Sequence, residues 1–345
     1  KASKDCAGAL VVDGVHYRTM ASRRNAFGYV LQDDSTLPPF LTVREAIEFS
    51  ASLRLPPGTP SRRREKIVDR VVRQLGLEKV AESRIGEVGA SGISGGERRR
   101  VSIGMELVVG PKVLLLDEPT SGLDAAAALK VVEILTGLVR RGECLVIATI
   151  HQPRPDAFSS FGRVLLLSDG AAAYEGPPLG VAEALGAVGR ACPAHVNLAD
   201  FALDNVGALH AVPGGAPPRL PEGARVAPDV LEGPRISFSR QVSLLFLHYS
   251  RELFRSRTLI WLQYISPLVV GVAFGLIYSD IPNDISGVQN RAGAFFAMEV
   301  FWCLVSMSAL DTWNAHRVAV ERDVASGYYG VLPYFIACAT GELVL

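Results

Sequence analysis

The chain has 345 residues, enough for two domains with separate cores. Its formal net charge is zero and 49% of its residues are hydrophobic, which excludes a polybasic nucleic-acid tail and a disordered acidic chain. The five cysteines (Cys6, Cys144, Cys192, Cys303, Cys338) are dispersed and odd in number, which argues against a disulfide framework or a CxxC zinc site and fits a reducing cytosol.

The first elements are strand-like: "ALVVDG" (9–14) and "FGYVLQDD" (27–34), with an Arg- and Ser-rich loop between them. From Val43 to Leu55 the pattern is helical and stops at "PPG". Over 65–81, Ile67, Val68, Val71, Val72 and Leu75 share one helical face, with arginines opposite. "VLLLDE" (113–118) is a continuous apolar run, as expected of a strand covered on both faces. A helix is expected from Ala125 to Arg141, then a second buried strand, "CLVIATI" (144–150), and a third, "RVLLLSDG" (163–170). Apolar strands alternating with amphipathic helices predict an α/β domain with a largely parallel sheet over residues 1–206.

Residues 207–234 are rich in proline and glycine without periodicity and read as a linker. Over 235–257, Val242, Leu245, Phe246, Tyr249 and Leu253 form an apolar stripe flanked by Arg240, Arg251, Arg255 and Arg257. This predicts an amphipathic connecting helix lying along the inner leaflet of a membrane. An all-α transmembrane domain is expected to begin at 258. The run 258–279 is 22 residues without a charge, enough to cross a hydrocarbon core of about 30 Å. Further spans are expected over 292–310 and 330–345. The basic residues before the first span place its N-terminal side in the cytosol. There is no signal peptide and no initiator Met, and the chain ends inside an apolar run, so it reads as an internal fragment.

The chemistry concentrates in "ASGISGGERRRVSIGMELVVGPKVLLLDEPTSGLD" (90–124). An apolar strand that delivers Asp117 and Glu118 at its C-terminal end puts acids where α/β sheets bind nucleotides. The first carboxylate suits Mg²⁺, and the second is placed to polarise an attacking water. "SGG" (94–96) at a helix start offers backbone N–H groups and a positive dipole end to a phosphate, or else is a plain helix cap.

"ISGGERRRVSIGMEL" resembles the signature of ABC transporters, and "VLLLDEP" resembles their Walker B strand with its catalytic glutamate. "SGLD" is similar to the D-loop, "ATIHQP" to the switch-histidine loop, and "GYVLQDD" to the Q-loop. "SGGE", "TIHQP" and "NLADF" point to the G (white-type) subfamily, whose membrane domain follows the nucleotide-binding domain. "DISGVQNRAGAFF" and "ERDVASGYYGVLPYF" are most similar to a multidrug half-transporter of that subfamily.

The resemblance implies ATP and Mg²⁺ as cofactors, a second half-transporter as partner, and a multi-pass membrane protein that exports a hydrophobic or amphipathic substrate through lipid. Glu118 and His151 become the catalytic pair. Ser94, Gly95, Gly96 and Glu97 face nucleotide across the dimer, Asp124 couples the two sites, and Gln32 and Asp117 are the Mg²⁺ ligands. In the resembled member the second span lines the cavity. Phe301 and Leu304 stand at its lining positions here, with Glu299 nearby. An acid inside a span is costly against lipid, so Glu299 is expected either to line the path or to sit near a membrane interface, paired and structural. The second span's place at the cavity in the resembled member favours the first. A P-loop, GxxxxGK[ST], is absent from the chain and is expected just upstream of Lys1, so this stretch alone should bind ATP poorly. A regulatory subunit without a working P-loop is the alternative reading, and a soluble ABC ATPase a more distant one.

Overall fold

The computed structural model describes residues 10–12, 15–17, 26–34, 36–86, 92–209, 225–226, 236–256, 261, 265–280 and 284–344. In chain order the first elements are β1 (Leu10–Val12), β2 (Val15–Tyr17), β3 (Phe27–Val30), α1 (Val43–Arg54), α2 (Ser61–Gln74) and α3 (Gly95–Leu107). Next come β4 (Val113–Leu116), α4 (Ala125–Arg140), β5 (Leu145–Ala148), α5 (Pro155–Ser160), β6 (Val164–Ser168) and β7 (Ala171–Gly176). Then follow α6 (Gly180–Ala187), α7 (Leu198–Asp204), α8 (Val206–Leu209) and β8 (Arg225–Val226). The last helices are α9 (Phe238–Arg255), α10 (Ser266–Ile277), α11 (Ile285–Ala325) and α12 (Val331–Val344).

The elements group into two units. One contains Lys1–Asp34, Asp69–Glu78 and Ser94–Glu232; the other contains Ser35–Val68, Lys79–Ile93 and Gly233–Leu345. At the centre of the first, β3, β4 and β5 form a parallel sheet with β4 in the middle. Parallel neighbours need crossovers, and α3 and α4 are placed in the chain to supply them. In register, Gly28, Leu114 and Val146 lie on one face with Val30, Leu116 and Ala148. Val30, Leu114 and Leu116 on this face are buried.

On the other face Val113 of β4 is buried, as expected of a strand covered on both sides, whereas the strands flanking it are open there. Tyr29 is 49% exposed, Leu145 54% and Ile147 53%. The strand 144–150 is therefore half covered among the described residues, although its composition is that of a fully buried strand. β6 and β7 form an antiparallel hairpin closed by Asp169 and Gly170, both at positive φ, the pairing such tight turns favour. Phe158, Leu166, Val181 and Leu185 build a separate apolar cluster under this hairpin.

In the second unit, α1 opens with a capping box: Glu45 N–H donates to Thr42 Oγ1 (3.2 Å) and Thr42 N–H donates to Glu45 Oε2 (3.0 Å). The apolar stripe of α9 turns inward: Leu245 joins a cluster with Leu53, Ile236, Tyr329 and Ala337, and Tyr249 and Leu253 pack with Cys338. Gly341 of α12 permits this approach, since a Cβ there would stand 2.7 Å from Tyr249 Cδ1. The expectation of a stripe facing the leaflet is corrected accordingly. That stripe is buried in protein, because α1 and α12 offer it apolar side chains, and the face left exposed carries Leu247 and Phe254.

α11 runs unbroken for 41 residues, well past the expected end of the second span at 310. Among the described residues no helix is long and apolar enough to cross a membrane. The expected first span, 258–279, and the linker, 207–234, both fall partly outside the described residues.

Candidate functional site

The ends of β3, β4 and β5 lie side by side, so the loops leaving them converge. Asp117 and Glu118 follow β4 directly. Glu118 has φ 41°, a left-handed conformation a non-glycine residue adopts only when its surroundings hold it there. Thr149, just past β5, supplies that restraint with one atom: its Oγ1 accepts from Glu118 N–H (2.9 Å) and donates to Asp117 Oδ1 (2.7 Å). From the loop after β3, Gln32 Nε2 donates to Glu118 Oε2 at 2.7 Å. Three of the sequence-derived residues, Gln32, Asp117 and Glu118, are thus brought together. His151 is exposed two residues beyond Thr149, on the same loop, and is followed by Gln152 at φ 45°.

The signature stretch forms the start of α3. Ser94 is its N-cap and makes a reciprocal box with Glu97: Glu97 N–H donates to Ser94 Oγ (3.3 Å), and Ser94 N–H donates to Glu97 Oε2 (2.8 Å). The Ser94 hydroxyl also donates to Glu97 Oε2 at 2.8 Å. Gly95 leaves room, its added Cβ meeting only Leu123 Cδ2 at 3.5 Å. Gly96 is glycine for packing, since a Cβ there would lie 2.7 Å from the Cβ of Ala127 on α4. Asp124 caps α4, its Oδ1 accepting from the N–H groups of Ala126 (3.0 Å) and Ala127 (2.9 Å).

Two residues the sequence reasoning passed over join this site. Thr149 sits inside "ATIHQP", where a hydroxyl at the strand end was the available signal. Arg99 belongs to the run Arg98–Arg100, which reads as solvated charge but is largely buried. Its guanidinium donates to the carbonyl oxygens of Leu31 and Gln32 and lies 3.3 Å from Asp34 Oδ1. Burial pushes the Asp34 carboxyl up to about 6; the Arg99 charge opposes this, Asp33 adds to it and Arg98 opposes it more weakly. Desolvation outweighs the ion pair.

Glu299 is exposed on α11 of the single chain; Leu304 is exposed nearby, and Phe301 is half-buried against Trp302 in an edge-to-face pair at 6.2 Å. Among the described residues no three His, Cys, Asp or Glu side chains form a metal cage. Mg²⁺ bound together with phosphates needs only one or two carboxylates, so Asp117 and the amide oxygen of Gln32 fit it.

Residues 2–121 match the ABC transporter family, and residues 240–345 match the ABC-2 type transporter family. The pig (Sus scrofa) broad substrate specificity ATP-binding cassette transporter ABCG2 is 33% identical over 92% of this chain and 55% of its own length. The rat (Rattus norvegicus) ABCG2 is 30% identical over all of this chain and 58% of its own. ABC transporter G family member 4 of Arabidopsis thaliana is 34% identical over 96% of this chain and 57% of its own. The chain therefore spans little more than half the length of these relatives. With both family matches in the order nucleotide-binding region then membrane region, the chain belongs to the G subfamily of ABC transporters.

Proposed function

We propose that the full-length protein hydrolyses ATP with Mg²⁺, works as a dimer of half-transporters, and exports a hydrophobic or amphipathic molecule across a membrane. The observation that carries this reading is the convergence of Gln32, Asp117, Glu118 and Thr149 at the ends of three adjacent parallel strands. In that geometry the Glu118 carboxylate accepts a hydrogen bond from water and aims its oxygen at the γ-phosphorus. As the water oxygen bonds to that phosphorus, it gives up a proton through Glu118 to solvent. The bond from phosphorus to the bridging oxygen breaks, its electron pair stays with ADP, and ADP and phosphate leave. Thr149 fixes the turn that presents Glu118, and Gln32 holds one carboxylate oxygen so that the other faces the water. His151, on the neighbouring loop, orients the γ-phosphate and that water. Asp117 and Gln32 hold the Mg²⁺, which neutralises phosphate charge when bound.

Ser94 and the open N–H groups of Gly95 and Gly96 approach the partner's nucleotide, the Ser94 hydroxyl turning from Glu97 towards the phosphate. Asp124 caps α4 beside them and links the two sites. The nucleotide-binding region is cytosolic. The apolar side chains exposed along α10 and α11, among them Leu268, Leu276, Phe295, Phe296 and Trp302, are those of helices meeting lipid. Glu299, Phe301 and Leu304 line the substrate path. Reconstituted into liposomes, the full-length protein should release phosphate from ATP and lose that activity when Mg²⁺ is chelated. Retention of labelled ATP by the reconstituted dimer tests binding separately from turnover. Absence of both ATP retention and phosphate release would refute the reading.

A further inference from the structure

The three arginines after the glycine pair leave α3 in different directions, because each residue turns the helix by about 100°. Arg100 donates from Nη1 to the carbonyl oxygens of Leu75 (2.9 Å) and Gly76 (3.1 Å). Arg99 reaches the loop after β3 instead. It is 2% exposed and forks onto two successive carbonyls, those of Leu31 and Gln32, beside the carboxylate of Asp34. Gln32 in turn gives its side-chain amide to Glu118 at 2.7 Å. One guanidinium therefore fixes the main chain of the residue whose side chain touches the paired acids.

We infer that Arg99 is a positioning residue for Glu118, acting through the backbone of Gln32 and so tying the helix that starts at Ser94 to the carboxylate. The inference rests on the reading of Glu118 as the group that orients water. Its chemistry is specific to arginine. Two carbonyl oxygens and a carboxylate need several donors in a planar fork, whereas a lysine ammonium offers the same charge at a single point. Both terminal nitrogens of this buried guanidinium are matched by carbonyl oxygens, while its Nε has no hydrogen-bond partner among the described residues and the Asp34 carboxylate supplies the opposite charge. The consequence for a dimer is directional. The start of α3 meets the partner's nucleotide, so any shift of α3 on closure carries the Gln32 carbonyl with it and re-aims the Glu118 of its own subunit. Each site would then sense whether its own signature helix is engaged across the interface.

A double-mutant cycle in the full-length protein tests this, with Arg99→Lys, Gln32→Ala, the pair combined, and Glu118→Gln as control. Arg99→Lys should fold, keep KM for ATP within about twofold and lower kcat by about 10- to 100-fold, the cost of misplacing a reacting group. Added to Gln32→Ala it should change kcat by no more than about twofold, since the route it uses is already broken. Multiplying effects, a Gln32→Ala variant with normal kcat, or an Arg99→Lys variant that behaves as wild type would each overturn the role. Unfolding of Arg99→Lys would also overturn it, in favour of a structural one. Wild-type turnover in Glu118→Gln would instead sink the reading on which the inference stands.

Discussion

Arg255 grips Glu45 through both of its terminal nitrogens, with Nη2 to Oε1 at 2.9 Å, while Glu45 also caps the helix it opens. Arg251 Nη1 stands 3.6 Å from the same carboxylate. α9 is thereby fastened to the first turn of α1 by charge as well as by its apolar stripe. Burial alone would raise the Glu45 carboxyl. The hydrogen bonds from Arg255 and Thr42 and the charges of Arg255 and Arg251 outweigh it, leaving the group below its usual range.

A lowered folded-state value means that the stabilisation is complete above the ordinary glutamate pKa near about 4.3 and is lost as pH falls through the lower folded value. Arg255→Ala should cost about 1–2 kcal/mol at neutral pH, the smaller end reflecting solvent screening. Denaturant unfolding should show the gap between wild type and variant narrowing below about pH 4. A gap that does not narrow as pH falls contradicts the pairing; the part that remains at low pH belongs to the bond from Arg255 to the Phe40 carbonyl.

Asp34 titrates with the opposite sign. Its folded value, about 6, lies above that of the unfolded chain, so its contribution is complete below about pH 3.9 and is lost as pH rises through 6. Wild-type stability should tilt downward across pH 4 to 6 by up to about 1.4 kcal/mol per unit. Asp34→Asn should remove that tilt, and thermal melts across the window measure it. An unchanged slope in the variant would place the titration elsewhere.

Thr149 holds the two acids through one hydroxyl, and this separates a replacement that keeps the hydroxyl from one that keeps the shape. Thr149→Ser keeps the bridge to Asp117 Oδ1 and Glu118 N–H and should retain turnover. Thr149→Val removes it, leaves Glu118 in a left-handed turn without its tether, and should lower kcat about tenfold or more. Steady-state ATPase kinetics on the two variants check this, and equal activities would remove Thr149 from the mechanism.

The two glycines of the signature should fail in different ways. Gly96→Ala pushes a methyl to within 2.7 Å of Ala127 Cβ and should destabilise the fold by about 1–3 kcal/mol, with Ala127→Gly restoring it. Gly95→Ala meets only ordinary contact at Leu123, so its melting temperature should hold while ATP turnover falls. Melting curves and ATPase rates on the three variants distinguish the cases. A stable Gly96→Ala would mean that α3 and α4 pack more loosely than described.

Much of this arrangement is legible in the residues themselves. "VLLLDE" ends its strand at Leu116 and delivers Asp117 and Glu118 at once, and Asp124 starts the helix expected at Ala125. Arg99 was not legible, because a run of three arginines reads as solvated surface until helical rotation sends each to a different set of carbonyls. The grip of Arg255 on Glu45 joins residues 210 positions apart, a distance over which sequence periodicity carries no information. β5 misleads in the other direction. Leu145 and Ile147 have the composition of buried positions, yet both stand exposed on the same face of the sheet as Val113 of β4, which is buried.

The role proposed for the Glu118 carboxylate, orienting the water that attacks ATP, is tested most directly by replacing it with an amide of the same shape. In the full-length protein, Glu118→Gln should bind Mg²⁺-ATP with affinity near that of wild type and lower kcat by about 100- to 10,000-fold, the range for loss of such a group. Labelled ATP trapped on the variant, with phosphate release reduced to that extent, is the predicted result. Phosphate release at the wild-type rate, from protein shown to bind ATP equally well, would contradict it.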